Sequence, residues 1–215
     1  MGRDLWYRER VEPLQHTLRH GTLREHLARY RFAASLLQGR LLDAGCGTGY
    51  GSAILAQAPA VSEVVGVDRD RRAVGHARQY YSGSRVRFQM RDLLDPDMFA
   101  LGTFDAIACL EVLEHIVLPE RLLEALDLCL APGGRLLIST PLGRGLTAPT
   151  RQPGHAFQLR RVELMALLRP RFEFRLYGQK GEGIESWRPG GRYFLVLALC
   201  RSRSDVRSAR RGRPA

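Results

Sequence analysis

Three carboxylates fall where short apolar runs end: Asp43 after Arg40-Leu-Leu, Asp68 after Glu63-Val-Val-Gly-Val, and Asp92 just past Arg85-Val-Arg-Phe-Gln-Met90. Ionised, each only accepts hydrogen bonds, so together they suit a ligand that presents hydrogen-bond donors. Further along stand Glu111, Glu114, His115 and His155. Imidazole, with an ordinary pKa of about 6.5, is well matched to taking a proton from a hydroxyl at neutral pH. His155 is the first choice for that work and His115 the second, while Glu111 and Glu114 suit orienting a histidine or binding an amine. The plain alternatives are a loop position for His155 and a helix-start cap for His115. No second His follows Glu114-His115 at H-E-x-x-H spacing, which excludes a zinc-peptidase helix, and we expect no metal site.

The first carboxylate leads into a glycine-rich turn, Leu41-Leu-Asp-Ala-Gly-Cys-Gly-Thr-Gly-Tyr-Gly51. Gly45, Gly47 and Gly49 alternate between an apolar run and the helix-forming Ser52-Ala-Ile-Leu-Ala-Gln-Ala, a pattern of strand, tight turn and helix. Glycine at every second position permits positive φ and lets a ligand approach the main chain without meeting a Cβ. The dinucleotide fingerprint G-x-G-x-x-G fails in both registers, because its last glycine would fall on Tyr50 or Ser52. Asp43 beside the turn would repel a pyrophosphate and accept from an ammonium.

Asp-x-Gly-x-Gly-x-Gly resembles motif I of the class I S-adenosylmethionine-dependent methyltransferases, and other stretches extend the likeness up to Leu199. Leu130-Ala-Pro-Gly-Gly followed by an apolar strand recurs in this class, and Glu25-His-Leu-Ala-Arg-Tyr-Arg-Phe-Ala33 resembles the cap helix that precedes motif I in small bacterial members. The resemblance implies S-adenosylmethionine as cofactor, held by Asp43, Gly45, Gly47 and Gly49 at the turn. It implies that Asp68, followed by Arg69, accepts from the ribose hydroxyls, and that Asp92 and the Leu93 amide meet the adenine. It also implies that Leu110 to Ile116 face cofactor and substrate, that Arg29 and Tyr30 lie over the methionine end, and that His155 stands in the substrate-side loop. This chain reads His155-Ala-Phe where relatives often have two residues between the His and an aromatic.

The elements that must position these residues alternate. Val-rich or Leu-rich runs at 40–42, 63–68, 85–90, 103–109 and 135–140 read as strands, with helices over 52–58, 72–81 and 119–130 between them. Pro59 and Ala131-Pro-Gly-Gly134 end helices. Phe172 to Tyr177 and Tyr193 to Leu199 finish the sheet after a helix over 160–168, and Gly178 to Gly191 reads as a flexible span able to cover a substrate. The expected fold is α/β, a doubly wound seven-stranded, mostly parallel sheet with one antiparallel strand near its edge. We divide the chain into a helical N-terminal cap at 1–39, a cofactor-binding domain at 40–200, and a disordered basic tail at 201–215.

With 215 residues the chain fits one domain. Cys46, Cys109, Cys129 and Cys200 form no C-x-x-C pair and read as free thiols. Neither a membrane span nor a secretory leader is evident, so the cytoplasm is the expected location. The net charge of +11 is almost wholly arginine, Lys180 being the only lysine, and six arginines against Asp205 fall in the last fifteen residues. A solvated surface is the favoured reading over nucleic-acid recognition. The expected activity is methyl transfer to a small-molecule acceptor, on oxygen of a sugar, lipid-linked or natural-product substrate. An RNA or protein methyltransferase and an inactive cofactor-binding subunit stay open, and the oligomeric state is not legible.

Overall fold

The computed structural model describes residues 20–150 and 154–203. The start of the expected cap, part of the loop expected on the substrate side and all but the first residues of the expected basic tail lie outside these. Helix α1 (His20–Leu36) leads into β1 (Gly39–Ala44), α2 (Tyr50–Ala56), β2 (Val61–Asp68), α3 (Arg71–Tyr81) and β3 (Val86–Met90). Then come β4 (Phe104–Leu110), α4 (Pro119–Leu128), β5 (Leu130–Pro141), α5 (Arg161–Leu168), β6 (Phe172–Lys180), β7 (Gly183–Ser186) and β8 (Leu195–Ser202). Their order across the sheet is β3-β2-β1-β4-β5-β8-β6-β7. The first five strands are mutually parallel.

Both faces are covered because the strand residues alternate in direction. Leu41, Val64 and Ala106 pack with Tyr30, Ala33, Leu55 and Val74 of α1, α2 and α3. Their neighbours Leu42, Val65 and Ile107 pack on the other face with Leu122, Leu126 and Leu164 of α4 and α5. Chain direction along the sheet reverses between β1 and β4, the crevice where open α/β sheets bind ligands.

The sheet has eight strands rather than seven, and two of them, β7 and β8, run against the rest. The extra strand comes from the span expected to be flexible. Gly181 takes φ +53° and Lys180 pairs with Gly183, so a two-residue turn folds β7 back on β6. Trp187 packs with Tyr193 at 4.7 Å between ring centroids, and the Tyr193 hydroxyl donates to Glu185 at 2.7 Å. Strand β8 also continues through Ser202, so Arg201 pairs opposite Arg135 and Glu173 inside the sheet instead of opening the tail.

The same hairpin fixes α1 over the sheet's carboxyl edge. The buried Gln179 donates to the carbonyls of Glu25 (3.0 Å) and Gly181 (2.8 Å), and accepts from Arg29 at 2.8 Å.

Candidate active site

The turn after β1 is shaped from below. Gly45, Gly47 and Gly49 all have positive φ, at +76°, +54° and +95°. The amides of Gly45 and Cys46 both donate to the Val67 carbonyl, at 2.9 and 2.8 Å, which ties the turn to the end of β2. Asp43 lies under the turn with no exposure, accepting from Ser52 Oγ at 2.6 Å and Tyr30 Oη at 3.3 Å. Burial pushes its pKa up to about 7, partly offset by those two hydrogen bonds.

Above the carboxyl ends of β1 to β4 opens a cavity of about 510 Å³, within the roughly 300–1,000 Å³ span of small-molecule sites. Following the strand order, Asp92 stands beyond β3, Asp68 ends β2, Gly45 to Thr48 follow β1, and Leu110 to Ile116 follow β4. At about 4.8 Å per strand these stations extend over about 14 Å, room for an elongated ligand. Asp68 is held in place, its Oδ2 accepting from the Gly47 amide at 2.9 Å and its Oδ1 from the Asp70 amide at 2.8 Å. The Leu94 amide donates to Asp92 Oδ1 at 2.9 Å.

At the far end Glu111 takes φ +57°, the sole non-glycine positive φ among the described residues. Such a conformation costs about 1–3 kcal/mol and recurs at functional sites. Its amide donates to Ser139 Oγ at 3.1 Å, and its Oε2 lies 3.5 Å from Arg29 and 3.9 Å from His26. Burial raises the Glu111 pKa and the Arg29 guanidinium opposes the rise. Next to it, Glu114 is fully buried, with Oε2 accepting from Thr140 Oγ1 at 3.1 Å, and burial followed by the nearby Glu111 raises its pKa. The His115 and His155 rings meet edge to face, 4.7 Å between centroids. Burial, then His115, lowers the His155 pKa to about 4. A base that weak falls short of the ordinary imidazole expected from sequence.

Of the residues singled out in the sequence, Tyr30, Gly45, Gly47, Asp68, Arg69, Asp92, Leu93, Leu110, Glu111, His115 and His155 line this one cavity. Asp43, Gly49 and Arg29 are not among its lining residues. Asp43 braces the turn, Gly49 gives close packing because a Cβ there would stand 2.6 Å from Ala77 Cβ, and Arg29 is spent on Gln179 and Glu111. The sequence reading missed His26, Tyr50 and Arg91. His26 lies one helical turn before Tyr30 on α1, a spacing that puts both on one face, and its Nδ1 lies 3.2 Å from the Tyr50 hydroxyl.

A family model described as "Methyltransferase domain" matches residues 14–180. A probable S-adenosylmethionine-dependent methyltransferase of Mycolicibacterium smegmatis is 32% identical over 151 residues, 67% of this chain and 56% of that protein. The ubiquinone biosynthesis O-methyltransferase of Xylella fastidiosa is 36% identical over 114 residues, 53% of this chain and 46% of that one. The matched stretch is thus about half the length of these curated relatives. Among solved structures, the N-methyltransferase NodS of Bradyrhizobium japonicum with S-adenosylhomocysteine superposes with a TM-score of 0.65 at 20% identity, over 93% of this chain and 97% of NodS. Magnesium protoporphyrin IX methyltransferase of Synechocystis with the same molecule bound gives 0.61 at 25% identity, over 93% and 94%. With a doubly wound sheet, a glycine turn at its switch point and a family match over most of its length, this chain belongs to the class I S-adenosylmethionine-dependent methyltransferases.

Proposed function

We propose that the chain methylates an oxygen of a small-molecule acceptor, with cofactor and acceptor side by side in the cavity over β1 to β4. The residues present fit S-adenosylmethionine. Asp68, fixed by two amides, keeps acceptor capacity for ribose hydroxyls, and Asp92 with the Leu93 amide suits an adenine edge. Gly45 and Gly47 bring the main chain to the cavity wall that Tyr30 shares, which suits the amino-acid part. Once bound, the cofactor supplies an electrophilic methyl on a sulfonium. The chain's own contribution is alignment, for which proximity is worth up to about 7–11 kcal/mol, with the His115, His155 and Glu114 group lining the end of the cavity left for the acceptor.

One observation carries the choice of acceptor. Although the chain is strongly basic overall, the cavity is lined by four carboxylates, Asp68, Asp92, Glu111 and Glu114, against Arg69 and Arg91. A cavity whose carboxyl groups outnumber its arginines lacks the cationic lining that phosphates require, which supports a small neutral or cationic acceptor over RNA. The names of the ubiquinone O-methyltransferase relatives support oxygen as the acceptor atom. Incubation with methyl-labelled cofactor and separate pools of hydroxylated small molecules, RNA and protein is the test. Label should enter the small-molecule pool, and label confined to RNA or protein would overturn the proposal.

A further inference from the structure

We propose that Glu114, His115 and His155 form a binding site for one divalent transition-metal ion, zinc being the reference case. Each offers a ligand atom, and all three atoms lie within 4.8 Å of one another. Donors about 2.1 Å from a shared tetrahedral ion stand about 3.4 Å apart, so the three need to close by little more than about 1 Å. Two imidazoles with one carboxylate select zinc-like ions over magnesium or calcium, which prefer oxygen-only shells.

The surroundings fit that role independently of the spacing. Glu114 Oε1 and His155 Nδ1 are buried without a hydrogen-bond partner among the described residues, an expensive state unless something else binds them. The remaining atoms of the trio are already oriented. Thr140 donates to Glu114 Oε2 at 3.1 Å, and His115 Nδ1 lies 3.0 Å from the Gly154 carbonyl, so it carries the proton and leaves Nε2 as the ligating nitrogen. The Ala156 amide donates to the Glu114 carbonyl at 2.7 Å, pinning the loop that bears His155 against the turn that bears the other two. Charge points the same way: Glu111 and Glu114 share this end of the cavity, and the buried Arg29 reaches Glu111 only at 3.5 Å. Because the trio faces the cavity that must hold the acceptor, the site narrows the acceptor class to molecules with oxygen donors able to approach a cation. That narrowing rests on the function proposed above, whereas ion binding itself does not.

The test uses the full chain, stripped with a chelator and titrated calorimetrically with zinc chloride, with cobalt absorption as a second readout. S-adenosylhomocysteine binding serves as the control for folding. We expect one ion per chain, at least about 100-fold weaker binding in His155→Ala and Glu114→Gln, and unchanged S-adenosylhomocysteine affinity in both. Should His155→Ala misfold, His155→Gln replaces it. No saturable binding to the wild type, as when Glu114 and His155 merely share a proton, overturns the site, and so does binding that neither variant weakens. Loss of S-adenosylhomocysteine binding with ion binding intact would count against the cofactor reading alone.

Discussion

The Asp43 carboxyl, fully buried and bonded to Ser52 and Tyr30, has its pKa lifted by burial from the ordinary 3.8 to about 7. Between those values the folded chain holds a proton that the unfolded chain has lost, so this group's contribution to stability falls as pH rises from about 4 to about 7. The shift corresponds to on the order of 4 kcal/mol. Asp43→Asn should flatten that slope, read as urea midpoints from pH 4 to pH 8 in the cofactor-free protein; parallel slopes for wild type and variant would contradict it. Asp43 also marks what single residues disclosed. Its place at a strand end was legible from Arg40-Leu-Leu, and so were those of Asp68 and Asp92. That its carboxylate is taken up by α1 and α2 was not, because the partner Tyr30 comes from a helix whose docking no local pattern encodes. His155 and Glu114 lie some forty residues apart in the chain, so their meeting was invisible to any spacing rule.

Among the elements, α1 and α2 meet through a glycine. A Cβ on Gly51 would lie 2.0 Å from the Tyr30 ring, although a helix ordinarily gains from Gly→Ala. Gly51→Ala should therefore destabilise by about 2 kcal/mol in urea unfolding and weaken S-adenosylhomocysteine binding by displacing Tyr30 from the cavity wall. A gain in stability would show that α1 does not pack as described. The five parallel strands and their helices were readable because each carries a sustained apolar pattern bounded by Gly or Pro. Strand β7 was not: Gly183-Ile-Glu-Ser186 is four residues without alternation, and pairing with β6 is what makes it a strand. That hairpin has a use, since Gln179, one residue from its turn, anchors Glu25 and Arg29 of the helix over the site.

For the whole molecule, the overall charge and the cavity lining differ in balance. The sequence carries a net charge of +11, while the cavity is lined by four carboxyl groups against Arg69 and Arg91. None of the described helices is long and apolar enough to cross a membrane. The family and the cofactor were legible because the glycine turn and the apolar runs around it lie close together in the chain; the acceptor was not, because the group of Glu114, His115 and His155 is assembled from a loop and a 3-10 turn distant in sequence. The central claim is that the cofactor spans the carboxyl ends of β1 to β4 with its ribose on Asp68. Calorimetry of S-adenosylhomocysteine with wild type and Asp68→Ala tests it most directly. One site per chain, weakened at least about 30-fold in the variant by loss of about 2 kcal/mol or more of charge-assisted hydrogen bonding, is the predicted result; equal affinity in both proteins would contradict it.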